Sequence, residues 1–112
     1  MVRLGVVPRQ AAERLKKRLM DEMPGRILEV RVFGSMARGE AHEGSDIDIF
    51  VLVDRVDLAL KKAVYDAAWE IGEELKAGPV LAPLVMDRPH FDLPLRRELL
   101  IAQDIVREGI PV

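Results

Sequence analysis

Two apolar runs, Ile27 to Phe33 (ILEVRVF) and Asp46 to Val53 (DIDIFVLV), are separated by only the twelve residues 34–45 (GSMARGEAHEGS). Both runs are rich in β-branched residues and read as strands. The first alternates apolar residues with Glu29 and Arg31, so one of its faces is wetter. The second is nearly all apolar after Asp48, the pattern of a strand with neighbours on both sides. The intervening segment holds three glycines and both serines of the chain, a loop with at most one helical turn. It is too short for the crossover that parallel neighbours require, so the two strands are expected to be antiparallel.

The remaining elements arrange themselves around this pair. Pro8 opens a helix over about 9 to 22, in which Ala12, Leu15, Leu19 and Met23 recur at helical spacing until Pro24-Gly25 stops it. Its other face, with Arg14, Lys17, Arg18 and Asp21, reads as solvated. Asp54 and Asp57 flank the start of a second, long helix with the stripe Leu60, Val64, Ala67, Ala68, Ile71 and Leu75, ended by Gly78-Pro79. Tyr65 and Trp69 on this helix read as packing groups. Val80 to Met86 is a third strand, which Pro83 confines to a sheet edge or a bulge. A last helix, about Leu93 to Glu108, ends at Gly109 with Pro111 beyond. Its Leu100 and Ile101 lie off the stripe of Leu95, Leu99, Ala102 and Val106, which fits either a second contact surface, for a partner or a second copy, or a helix buried on two sides. The expected fold is a single α+β domain over residues 1–112, a small mixed sheet covered by helices.

Composition narrows the function classes. Seventeen basic and nineteen acidic residues give a net charge of -2, so no global basic field argues for direct nucleic-acid binding. The absence of cysteine removes disulfides, thiolate metal sites and cysteine nucleophiles. No apolar run approaches the roughly 20 residues that cross a bilayer, and Pro8, Arg9 and Gln10 interrupt the place of a signal peptide. A cytoplasmic location without membrane contact is expected. Serine occurs only as Ser35 and Ser45, both inside the loop between the first two strands.

That loop carries the chemistry. Asp46 and Asp48 are two apart on a strand, so their carboxylates face the same side with α-carbons about 6.5 to 7 Å apart. Two such charges facing inward would cost several kcal/mol without a cation or another basic partner between them. A hard divalent ion answers this economically, since magnesium takes a few carboxylate oxygens, retained waters and phosphate oxygens. Gly34-Ser35 directly follows the first strand and opens a turn whose backbone N–H groups and hydroxyl suit phosphate oxygens. Either feature alone is a common turn. Together they bring a phosphate-type turn and a carboxylate pair to one end of an antiparallel strand pair.

Gly34-Ser35, ten residues, then Asp46-Ile47-Asp48, with Ala37-Arg38-Gly39 and Ser45 between, resembles the signature of the DNA polymerase beta nucleotidyltransferase superfamily. Within it the chain is most similar to the minimal nucleotidyltransferases, over about residues 8 to 109. The resemblance implies transfer of AMP from ATP to an acceptor hydroxyl with release of pyrophosphate, nucleotide contacts from Gly34, Ser35, Arg38 and Ser45, and Mg2+ on Asp46 and Asp48. Arg38 equally fits an ion pair with Glu40 or Glu43. The family's active members usually add a third carboxylate on the later strand, where this chain has Ala82 or Pro83; Asp87 is the nearest acid. His42 and His90 read as loop residues.

The resemblance further implies a partner, since similar proteins are commonly encoded beside a HEPN-domain toxin and act as its antitoxin. One reading is therefore an enzyme that adenylylates that protein. A second is a catalytically weak nucleotide-binding module that neutralises it by complex formation, which the missing third acid favours. A transferase acting on small molecules such as aminoglycosides fits less well, because no further domain to hold such a substrate is evident.

Overall fold

The computed structural model describes residues 6–33, 46–75, 80–88 and 109–112. Its elements are α1 (Val6–Glu22), β1 (Ile27–Phe33), β2 (Ile47–Val53), α2 (Leu58–Glu74), β3 (Leu81–Asp87) and β4 (Ile110–Pro111). The strands form one mixed sheet in the order β3-β2-β1-β4, which is the expected α+β architecture. The expected last helix lies outside the described residues.

β1 and β2 pair antiparallel, in a register that sets Phe33 against Asp48 and Val30 against Val51. β2 thus lies inside the sheet, as its continuous apolar run requires. β3 runs parallel to β2 on its other side, with α2 as the crossover. Pro83 is accommodated because β3 is an edge strand, where a missing N–H faces no ladder. Leu28, about half exposed, sits at the one irregularity of the β1–β2 ladder, between Ile27 and Glu29.

β4 was not expected. Residues 110 and 111 extend beside β1, pairing Ile110 with Val32 and Pro111 with Arg31, and the Val112 N–H donates to the Val30 carbonyl at 3.0 Å. Pro111 ends the helical pattern in sequence, and here it occupies another sheet edge.

α1 stops where Pro24-Gly25 demands, and Gly25 takes φ 78°, the left-handed conformation that costs glycine least. Asp57 caps α2 by accepting from the Leu60 N–H at 2.8 Å. That hydrogen bond, with Arg26 at 3.0 Å from its other oxygen, holds the Asp57 carboxyl below the usual carboxylate range. The buried stripe of α2, Leu60, Val64, Ala67, Ala68 and Ile71, meets Ala11, Ala12, Leu15 and Leu19 of α1 over the sheet. The face of α1 read as solvated does more than that: Arg14 reaches Glu74 at 3.2 Å and Arg18 pairs with Glu70, both on α2. Tyr65 and Trp69 are not packing groups of the core, being 50% and 66% exposed. No helix among the described residues is long and apolar enough to cross a membrane.

Candidate functional site

Strand parity divides β2 between two faces. Ile47, Ile49, Val51 and Val53 point to α1 and α2 and are fully buried. Phe50 and Leu52 point to the opposite face, where Phe33, Leu84 and Met86 pack against them. Asp48 has the parity of Phe50 and Leu52, so its half-buried side chain lies on the face away from the helices. Asp46 precedes Ile47 and is exposed, and Ile47 is anchored by its N–H donating to the Val80 carbonyl at 2.9 Å. Asp48 is thus directed away from the helices at the end of the sheet where Asp46 leads into β2.

The neighbours of Asp48 follow from the register. Phe33 is its partner on β1 and Ala82 its partner on β3, each about 5 Å away between α-carbons. Phe33 is the last residue of β1, and Gly34 follows it in sequence. The chain that leads to Gly34-Ser35 therefore leaves β1 at the level of Asp48. Gly34, Ser35, Arg38, His42, Ser45 and His90 lie outside the described residues.

Of the two positions on β3 read as standing where a third acid belongs, the register selects Ala82. It lies on the face of Asp48, whereas Pro83 pairs with Ile49 on the helix side. Asp87 does not join the pair. It is the register partner of Val53, so it lies on the helix side of the sheet and five residues beyond Ala82, about 16 Å along the strand. Only a bulge or bend could have brought it in, and the β2–β3 pairing runs without interruption from Leu81 to Asp87.

One residue that sequence reasoning treated only as part of a wet face stands close. Arg31 pairs in register with Phe50, one step diagonally from Asp48, on the same face. Its guanidinium forms an ion pair with Glu29. The alternation of β1 held this signal, but the facing strand's register was needed to place it.

Among the described residues no three His, Cys, Asp or Glu side chains come together. Asp46 and Asp48, two residues apart at one end of β2, offer hard carboxylate oxygens. This fits magnesium, which is commonly held by one or two carboxylates and completes its octahedron with water and substrate phosphate. A separate groove of about 380 Å³ between α1 and α2, lined by Arg14, Lys17, Arg18, Asp21, Glu22, Ile71 and Glu74, lies on the helix side.

A model of the nucleotidyltransferase domain family matches residues 12–110. In structure the chain is similar to a protein described as a minimal nucleotidyltransferase, at 25% identity and a TM-score of 0.55, over 94% of this chain and 95% of that one. It is similar to a toxin–antitoxin structure solved with AMP-PNP, at 22% identity and a TM-score of 0.56, over 88% of this chain and 70% of that one. It is also similar to a complex of the tri-AMPylated HEPN toxin of Shewanella oneidensis with its MNT antitoxin, at 20% identity and a TM-score of 0.54, over 93% and 70% of the two chains. No curated protein matches the chain.

Proposed function

The chain belongs to the nucleotidyltransferase domain family, and from that premise we propose that it transfers AMP from ATP to a hydroxyl of a partner protein, a HEPN-domain toxin for which it is the antitoxin. The observation that carries this reading is the placement of Asp48 between Phe33, where β1 leads into Gly34-Ser35, and the edge strand β3, two residues after Asp46. The fold neighbours that contain AMP-PNP or an AMPylated HEPN toxin support the same choice of nucleotide and partner.

In this reaction the acceptor hydroxyl oxygen forms a bond to the α-phosphorus of ATP, the bond to the bridging oxygen of the β-phosphate breaks, and pyrophosphate and a proton leave. Bound Mg2+ supplies neutralisation of charge on the phosphates and orientation for in-line displacement. Asp46 and Asp48 hold it through their carboxylate oxygens. Gly34 and Ser35 receive the triphosphate, with Ser45 and Arg38 as further nucleotide contacts, and Ile47 fixes the spacing of the two aspartates by its burial.

Ala82 favours a second reading. With an alanine beside Asp48, β3 supplies no carboxylate to take the acceptor's proton at that level, so the same site fits a module that binds nucleotide and neutralises its partner by complex formation alone. Incubation with α-labelled ATP, Mg2+ and the co-encoded protein separates the two. Label on the partner, lost on chelation of the metal, is the result expected of the enzyme. A tight complex without label overturns transfer in favour of the binding module, and ATP affinity indifferent to both metal and Asp46→Asn/Asp48→Asn overturns both.

A further inference from the structure

Among the described strand residues on the face away from the helices, three are charged: Glu29, Arg31 and Asp48. The register sets Glu29 against Leu52, Arg31 against Phe50 and Phe33 against Asp48. Arg31 is therefore one diagonal step from Asp48, about 7 to 8 Å away between backbones. Glu29 lies two residues further from that end, about 13 Å along the strand from the level of Asp48. The Glu29 carboxylate pairs with the Arg31 guanidinium at Nε. By backbone position, this ion pair stands with its cation nearer the aspartates.

The setting gives that orientation an effect. The two side chains are only 21% and 31% exposed. Their neighbours on this face are fully buried Phe50 and Leu52, with Phe33, Leu84 and Met86 packed against them. Water and salt screen a charge weakly across such an apolar surface, so the field of the pair extends to the end of the sheet where Asp48 lies. A partly buried ion pair among apolar groups adds little stability over well-packed apolar residues, so fold stability alone does not account for it.

We propose that Arg31 couples the metal to the nucleotide. Its charge disfavours a divalent cation alone on Asp46 and Asp48 and favours the polyphosphate that accompanies the cation, so the site loads Mg2+ together with ATP. Glu29 tempers that charge from further away. The inference rests on the proposed reading of the two aspartates as metal ligands. Arg31 acts through its field, with no bond or proton exchanged.

The test measures two affinities of the full chain: Mn2+ alone, by electron paramagnetic resonance, and a non-hydrolysable ATP analogue without metal, by calorimetry. Arg31→Gln should tighten Mn2+ and weaken the analogue, each by about fivefold. Glu29→Gln removes the other half of the same pair and should do the reverse, weakening Mn2+ and tightening the analogue. Arg31→Lys keeps the charge and should stay within about twofold of the parent in both. Lys62→Gln makes the same change in net charge on α2, across the sheet, and should move neither. Opposite responses of a cation and an anion are beyond what a damaged fold produces. Arg31→Gln and Glu29→Gln shifting both ligands in one direction would make the pair a structural clamp and overturn the proposal. A response of Lys62→Gln equal to that of Arg31→Gln overturns it as well, leaving net charge as the cause. Mn2+ binding that requires Asp48 but ignores Arg31→Gln overturns this inference alone, whereas a parent that binds the analogue and no Mn2+ overturns the metal reading with it.

Discussion

The two faces of β2 differ by one residue of parity and by everything in their roles. On the helix side Ile47, Ile49, Val51 and Val53 are fully buried between α1, α2 and the sheet. On the other side exposed Asp46 precedes the strand, half-buried Asp48 is its second residue, and buried Phe50 and Leu52 follow. The strand's start is where polar chemistry is tolerable, because the ladder ends there and water reaches the edge. On the helix side these four positions are all apolar, and no polar or charged side chain is buried among the described residues. One strand thus positions the carboxylates by burying the residues between them, so the precision of the site is a consequence of core packing.

Substitutions on the two faces should separate function from stability. The largest effect is expected from Asp48→Asn, which should lower metal-dependent transfer by about a thousandfold, since a ligated metal stabilises the transition state by several kcal/mol. Its melting temperature should change little; a large fall would mean that Asp48 belongs to the fold. Ile49→Ala, one residue away, should lower stability by about 2 to 4 kcal/mol in denaturant titrations while the folded fraction keeps its nucleotide affinity. Loss of nucleotide binding without loss of stability would break the division between the faces.

Smaller effects sharpen the contrast between the two ends of β3. Ala82→Asp adds a carboxylate beside Asp48 and should tighten Mg2+ or Mn2+ binding by about tenfold, measured calorimetrically with a non-hydrolysable ATP analogue. Asp87→Asn, on the opposite face and at the far end, should leave metal affinity within about twofold of the parent. An equal response to both would contradict the parallel register of β2 and β3.

Much of this was legible along the chain because it depends on local pattern. β1 occupies the run Ile27 to Phe33 that its alternation marks, β2 begins one residue inside the run read for it, and Gly25 ends α1 by accepting a positive φ. Pro83 required a sheet edge or a bulge, since a residue without an N–H cannot sit inside a ladder, and β3 takes the edge. The short β4 was not legible, because two residues of strand carry no period of their own and form only where β1 leaves an edge to pair with. Tyr65 and Trp69 were misread because aromatic rings usually pack, and helical spacing alone does not say which arc a core covers.

For the candidate site, the spacing of Asp46 and Asp48 predicts a shared face if both lie on the strand; β2 takes in Asp48 and begins just after Asp46. Whether Asp87 could join them, and whether Ala82 or Pro83 stands beside Asp48, could not be read from spacing. Those answers depend on the register of β3 against β2, which is set by how Leu81 and Val85 seat in the core under α2. The amino-acid sequence by itself determined α1, β1, β2, α2 and β3, their order and the two-residue spacing of the aspartates, because each rests on local pattern within a few residues. Only the tertiary structure decided what lies beside that pair and which ridge of α2 faces outward, because neighbours across strands and helices are chosen by which side chains the core buries together.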